Sequence, residues 1–297
     1  MQILQAFFLC KKMKKLKIAI QKSGRLSEKS LDIIREAGIK LTNGKRLLLA
    51  QATSFPVEVL YLRDDDIPQY VSDGVADIGF VGEDVFLEGG EKLDIVLRLG
   101  FSKCRLSLAI PKGFGYDSPK WFSGKKIATS FPNILRKFLE EHGVNAEIHK
   151  ISGSVEIAPG IGLADGICDL VSSGSTLMSN GLKEVEVILR SEAVVIARPV
   201  LELSKVRILN EFIFRLKAVL SARDNKYILL NSPDESLEKI CSILPGMQSP
   251  TVMPLAREGW SSVHSVVNEN TFWEAIGQLK DAGAKGILVI PIEKMIQ

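Results

Sequence analysis

The 297-residue sequence has little of what builds covalently or metal-stapled folds. Its four cysteines, Cys10, Cys104, Cys168 and Cys241, stand alone with no C-x-x-C pair, and its three histidines, His142, His149 and His264, show no metal-ligand spacing. Both features argue against a disulfide framework or a structural zinc site. Unpaired thiols fit a reducing cytoplasm, the expected location. An excess of one charge is missing too. The 38 Lys and Arg against 35 Asp and Glu leave a net +3, without the strongly basic character of a dedicated nucleic-acid binder. The apolar run Ile3–Cys10 is far too short to span a bilayer. It also precedes its positive charges, the reverse of a secretory signal. Residues 1–15 are therefore expected to be an extension without function, Met13 being a second plausible start, and no membrane partner is expected. No internal repeat or low-complexity tract breaks the chain. What is present is an ordinary globular composition, 46% hydrophobic, at a length suited to two or three domains.

From Leu16 onward, strand-like and helix-like segments alternate. "LKIAI" reads as a strand, "LSEKSLDIIREAG" as a helix with Leu31 and Ile34 on one face and Gly38 at its stop, and "VEVLYLR" and "ADIGFVG" as strands around the short helix of "DDIPQYVSDG". This β-α-β rhythm implies a largely parallel sheet covered by helices. A second block opens near Cys104 with strands "RLSLAIP" and "KKIATS", the helix "PNILRKFLEEHG", and strands "AEIHKI" and "ICDLV". "EVILRSEAVVIARP" then supplies two strands that could return the chain to the first block, as in two-lobed binding proteins. The periodicity of Val206, Leu209, Ile213, Leu216 and Leu220 predicts a long helix over 200–221. Beyond it the order β-α-β-β-α-β matches the ferredoxin-like pattern. In that unit Trp260 and Trp273 are expected to fill a small core, and His264 to be a half-buried strand residue.

One segment concentrates small and hydroxyl-bearing residues: "DLVSSGSTL", Asp169–Leu177. With a strand ending near Val171 and a helix beginning near Thr176, the turn offers free backbone N–H groups and the hydroxyls of Ser172, Ser173, Ser175 and Thr176 to one point. That is the design of a phosphate site, and Gly174 lets an oxygen approach the backbone. Asp169 is suited to accept hydrogen bonds from ribose hydroxyls or to help hold Mg²⁺ beside phosphates. The plainer alternative is a serine-rich turn with a helix cap.

The wider segment "SGSVEIAPGIGLADGICDLVSSGSTLMSNGL" places Glu156, Gly162, Ala164, Ile167, Asp169, Leu170, Ser173, Gly174, Thr176 and Leu177 at the spacing of a signature. It resembles that of the ATP phosphoribosyltransferases. The resemblance extends from Leu16 over nearly the whole chain through "IAIQKSGRL", "RDDDIPQYVSDGVADIGFVGED", "CRLSLAIP", "KIATSFPN" and "FWEAIGQLKDAGAKGILVIPIEKM". It is to the long, self-regulated form, which carries an ACT-like C-terminal domain.

The resemblance implies a fold and a reaction. The fold is α/β, a two-lobed, periplasmic-binding-protein-like catalytic body followed by a C-terminal ferredoxin-like domain. Lobe I is expected at 16–104 plus 184–222, lobe II at 105–183, and a histidine-binding regulatory domain at 225–297. The reaction joins N1 of ATP to C1 of 5-phosphoribosyl 1-pyrophosphate and releases pyrophosphate with inversion, the first step of histidine biosynthesis, with histidine as feedback inhibitor.

An oxocarbenium-like transition state with charge growing on pyrophosphate calls for positioning and electrostatics, so no side-chain nucleophile or base is assigned. The expected phosphoribosyl-pyrophosphate site is Glu156, Asp169, Ser172, Ser173, Gly174, Ser175, Thr176 and Leu177. The expected ATP or phosphate site is Lys22, Gly24, Arg25, Gly82, Glu83, Asp84 and Arg105, although Arg105 reads equally as a strand-edge charge and Glu83 and Asp84 as a tight acidic turn. Mg²⁺ is the expected cofactor, with Asp169 as its candidate ligand. The loop Gln248–Ala256 resembles a wall of the histidine pocket, giving Asn231, Ser249, Thr251 and Leu255 as candidates. A hexamer exchanging with a dimer is the implied assembly. The competing reading is a non-catalytic two-lobed ligand-binding or regulatory subunit, against which the intact "DLVSSGSTL" and "QKSGRL" argue.

Overall fold

The computed structural model describes residues 14–42, 48–244, 246–247 and 249–296. The expected extension, with Cys10 and Met13, lies outside the described residues except for its last two positions, as does Gln248 of the C-terminal loop.

The first sheet is built from the amino-terminal segments that were legible as strands. β1 (Leu16–Gln21) leads through a turn into α1 (Arg25–Glu36). There follow β2 (Leu49–Gln51), β3 (Val57–Leu62), α2 (Ile67–Ser72), β4 (Ile78–Gly82), α3 (Glu83–Gly89) and β5 (Asp94–Arg98). β1 pairs in parallel with both β3 and β4. The near-continuous apolar runs of β1 and β4 follow from this central position, where both faces are covered. Ala19, Ile67, Val71, Val81, Phe86, Val194 and Ile196 make one of its cores.

The chain then crosses to a second sheet. β6 (Cys104–Pro111), β7 (Lys126–Thr129), α4 (Pro132–Glu141), β8 (Glu147–Lys150), β9 (Gly166–Val171), α5 (Ser175–Ser179) and β10 (Leu182–Ser191) form it in the strand order β10-β6-β9-β7-β8. One face packs α4 through Leu135 and Leu139 onto Leu106, Leu108, Ile127 and Cys168. The other face packs Val155, Ala158 and Leu177 onto Ala109, Ala128 and Ile167. β11 (Ala193–Ala197) returns to the first sheet between β4 and β5, giving the order β2-β3-β1-β4-β11-β5. The body is thus two α/β lobes joined by two crossings, the plan of periplasmic binding proteins. One expected boundary moves. β10 pairs with β6 from Leu182 to Ser191, so lobe II runs to Ser191 and the return crossing is at Glu192, not at residue 184.

The 21-residue α6 (Leu203–Arg223) follows. Its buried positions are Leu209, Phe212, Leu216, Ala218, Val219 and Ala222; Leu209 and Leu216 are as expected, while Phe212 and Val219 take the inward places expected of Ile213 and Leu220. The division into compact units falls inside this helix: residues up to Asp32 with Ile39–Leu209 make one, and Ile33–Gly38 with Asn210 onward make the other. The helix runs through that division to Arg223, with one residue before β12, so the division falls earlier than the boundary expected at 222–225.

The second unit carries β12 (Asn225–Pro233), α7 (Leu237–Ile243), β13 (Thr251–Pro254), β14 (Trp260–Asn268), α8 (Glu269–Asp281) and β15 (Lys285–Pro291). Its strand order, β13-β14-β12-β15, is antiparallel throughout and ferredoxin-like. Asn268 caps α8 by accepting a hydrogen bond from the Asn270 amide. The core holds Phe272, Leu279, Ile240 and Val263, whereas Trp273 is 61% exposed, contrary to the packing role expected of it. A step of one residue turns it about 100° around the helix, off the face that meets the sheet. Trp260 is only partly buried and stacks against Arg257 and Lys285.

Candidate functional site

In lobe II the strand β9 ends at Val171, and Ser172–Gly174 turn the chain into α5. Gly174 has φ +81°, a left-handed conformation that side-chain-bearing residues rarely adopt, so the glycine is required by the turn. Ser172, Ser173, Ser175 and Thr176 are exposed, while Leu177 anchors the helix in the core beneath. The Ser173 and Ser175 hydroxyls lie 2.9 Å apart. The amides of Ser173, Gly174, Thr176 and Leu177 donate to no protein acceptor among the described residues. The turn therefore presents a bank of open donors to solvent, as an anion site requires.

Asp169 precedes this turn with its carboxylate accepting from the Leu170 amide at 2.8 Å. Burial pushes its pKa above the ordinary carboxylate range, and the nearby charge of Glu156 adds to the rise. Two acids thus stand beside the turn. Among the described residues no three His, Cys, Asp or Glu side chains gather as a metal cluster. A pair of carboxylates is the donor set Mg²⁺ uses when substrate phosphates complete its shell.

Lobe I supplies the basic turn. The parallel pairing of β1 with β4 brings Lys22–Arg25 and Gly82–Asp84 to the same edge of the sheet. Gly24, at φ +100°, allows the turn. Lys22 and Arg25 are exposed and have no ion-pair partner among the described residues. The same edge of lobe I meets lobe II directly. Glu88 of α3 accepts from the Asn133 amide at 2.9 Å and from the Ile134 amide at 3.0 Å, capping α4, while Asn133 Nδ2 donates to the Glu88 carbonyl at 2.9 Å. The edge carrying β7 carries the parallel β9 as well, so the Asp169 turn stands on the side of lobe II that faces lobe I.

Four of the expected ligand positions are engaged elsewhere. Glu83 forms a forked ion pair with Arg98, both contacts at 2.6 Å. Asp84 is 5% exposed; it accepts from the Ser191 hydroxyl at 2.6 Å, and its own amide donates to that hydroxyl at 3.0 Å. Burial raises the Asp84 pKa, and the Ser191 hydrogen bond offsets part of the rise. The space beside Gly82, read as room for a ligand, is filled by the Asp84 carboxylate. Arg105 forks onto Glu184, Nε to Oε1 at 2.5 Å and Nη2 to Oε2 at 2.6 Å, and donates from Nη1 to the Ser172 carbonyl at 3.0 Å. Glu184, Arg98, Ser191 and Glu88 had no mark in the sequence. Each lies 15 to 107 residues from its partner, and only strand pairing or lobe contact brings them together.

In the second unit, a cavity of about 680 Å³ is lined by Tyr227, Ser249, Thr251, His264, Ser265 and Ile296. The Tyr227 hydroxyl lies 2.7 Å from His264 Nδ1, and the Ser262 hydroxyl 2.9 Å from Nε2. Ser249 and Thr251 therefore share one pocket. Asn231 and Leu255 lie outside it, Asn231 pairing with Ser262 further along β12 and Leu255 bonding the Trp260 carbonyl.

Fold and site together define a two-lobed α/β protein that presents a turn suited to anions at the facing edges of its lobes. Residues 63–218 match the family described as ATP phosphoribosyltransferase, and residues 222–294 the HisG C-terminal domain. Curated ATP phosphoribosyltransferases from Phocaeicola vulgatus and Parabacteroides distasonis are 59% and 61% identical over 281 residues, 95% of this chain and 99% of theirs. A solved ATP phosphoribosyl transferase (HisG:HisZ) complex from Thermotoga maritima contains a chain 34% identical, with TM-score 0.62. The match covers 98% of that chain and 69% of this one. The chain belongs to the ATP phosphoribosyltransferase family, in its long form with the C-terminal domain. It is a transferase of the first step of histidine biosynthesis.

Proposed function

We propose that the chain carries out this transfer by gripping the 5-phosphate of 5-phosphoribosyl 1-pyrophosphate on the turn Ser172–Leu177. The observation that carries the reading is the bank of open amides and exposed hydroxyls on a glycine turn directly after a half-buried acid. Asp169 and Glu156 accept from the ribose hydroxyls in this reading. Lys22 and Arg25 supply positive charge for the phosphates of ATP or of the leaving pyrophosphate. N1 of adenine attacks C1 from the face opposite the pyrophosphate. The protein's part is to align the two ligands and to hold donors where charge develops. Mg²⁺ fits the donor set, with Asp169 and Glu156 as its protein ligands, and would neutralise charge on the departing pyrophosphate. Glu83 and Asp84 act as braces beneath the edge.

The same reading makes the ferredoxin-like unit the histidine-responsive domain, with the cavity around Ser249, Thr251 and His264 as its ligand pocket. It places the enzyme in the cytoplasm as a homo-oligomer, a hexamer in exchange with a dimer. Initial rates with both substrates and Mg²⁺ test the turn. Ser173→Ala with Thr176→Ala should weaken the phosphoribosyl donor by about 1–3 kcal/mol per lost hydrogen bond and leave the KM for ATP in place. Unchanged affinity for the donor would refute the assignment.

A further inference from the structure

The sequence left Arg105 open between a phosphate ligand and a strand-edge charge, and its geometry gives it another task. Two of its nitrogens are held by both oxygens of Glu184, and Glu184 Oε1 also accepts from the Ser107 hydroxyl at 2.8 Å. Ser107 is fully buried, so the carboxylate is fixed from the inside of the sheet. Glu184 sits at a register shift in β10, a β-bulge that re-aims side chains at a strand's edge. The third nitrogen of Arg105 reaches the carbonyl of Ser172. That carbonyl and the Ser173 amide belong to one planar trans peptide, in which C=O and N–H point in opposite directions. Holding the oxygen toward Arg105 therefore aims the Ser173 N–H away from it. That amide is one of the open donors of the turn.

We infer that Glu184 is a positioning residue for phosphoribosyl transfer: through Arg105 it locks the Ser172–Ser173 peptide so that the Ser173 amide faces the donor's 5-phosphate. The inference rests on reading Ser172–Leu177 as the phosphate cradle. A bidentate fork suits the task because it fixes the guanidinium plane, which a lysine ammonium at the same place cannot do. The pairing also neutralises Arg105, so its contribution is orientation rather than field.

The test is steady-state kinetics of the full-length enzyme with Glu184→Gln, Arg105→Lys, their double variant and the milder Ser107→Ala, each checked for native circular dichroism. Glu184→Gln should raise the KM for 5-phosphoribosyl 1-pyrophosphate about tenfold, with kcat and the KM for ATP within about twofold of wild type. The double variant should be no worse than Arg105→Lys alone, because the two residues act as one unit. Ser107→Ala should give a smaller rise of the same kind. Were Arg105 a direct phosphate ligand, releasing it by Glu184→Gln would leave or improve donor binding, and that result overturns the inference. If Glu184→Gln and Arg105→Lys behave as wild type while Ser173→Ala with Thr176→Ala raises the donor KM, the brace is refuted and the cradle stands. If all are silent, the cradle reading itself fails and the inference with it.

Discussion

Lys205→Ala offers a sharp test of how the first lobe is held together. Asp77 is 1% exposed and its carboxylate takes three hydrogen bonds, one from the Lys17 amide at 2.8 Å and two from Lys205 Nζ at 2.8 and 2.9 Å. Removing the ammonium leaves a buried carboxylate with one amide for company. Breaking a buried pair from one side costs about 3–5 kcal/mol. The Lys205 side chain is 20% exposed, so water can enter part of the gap, which places the expected loss near the lower end, about 3 kcal/mol. In a unit of this size that is a fall of roughly 6–12 °C in the unfolding midpoint. Thermal unfolding followed by circular dichroism reads it directly. Asp77→Asn with Lys205→Met removes both charges, keeps an acceptor for the Lys17 amide, and should recover most of the loss. A single variant within about 1 kcal/mol of wild type, or a double variant as unstable as the single, would contradict the burial argument.

Burial raises the Asp84 pKa in the folded state, so the native protein holds that proton more tightly than the unfolded chain. Its contribution is present below about pH 4 and fades as pH rises through the folded pKa, so Asp84→Asn should gain on wild type between pH 4 and 7 in urea unfolding. Glu184 has the opposite sign: Arg105 lowers its pKa, so Glu184→Gln should lose most above the usual carboxylate range and converge on wild type in acid. Equal pH slopes in all three proteins would contradict both assignments. Glu88→Ala removes the cap of α4 and should cost about 1 kcal/mol, with Glu88→Gln costing less because it keeps an acceptor; the urea midpoint decides. Thr251→Ala and His264→Ala should each weaken histidine in calorimetric titration while leaving uninhibited rates unchanged, and retained affinity in both would move the inhibitor site elsewhere.

Local signals in the chain were reliable where one segment decides its own structure. The runs at Leu16, Ile78 and Ile167 became central strands because their side chains meet core on both faces, and Pro132 and Gly143 bracketed α4 as expected. The Asp169 turn was legible for the same reason, since glycine and hydroxyls in sequence prescribe the geometry. What escaped was pairing at a distance. Glu83 and Asp84 stand at a strand end, the place where ligand-binding acids are expected, and nothing nearby announces Arg98 or Ser191 as their partners. Arg105 likewise gave no hint of Glu184, which reaches it only through the β6–β10 ladder. Two short strands were also missed. β2 has three residues and β5 lies at the sheet's edge, where half-exposed side chains blur the alternation.

A structure of the enzyme with 5-phosphoribosyl 1-pyrophosphate and Mg²⁺ measures directly where the sugar donor's 5-phosphate sits. The expected result is phosphate oxygens about 3 Å from the amides of Ser173, Gly174, Thr176 and Leu177, with the Arg105–Ser172 contact intact. A phosphate bound away from this turn, or those amides turned onto protein carbonyls, would contradict it.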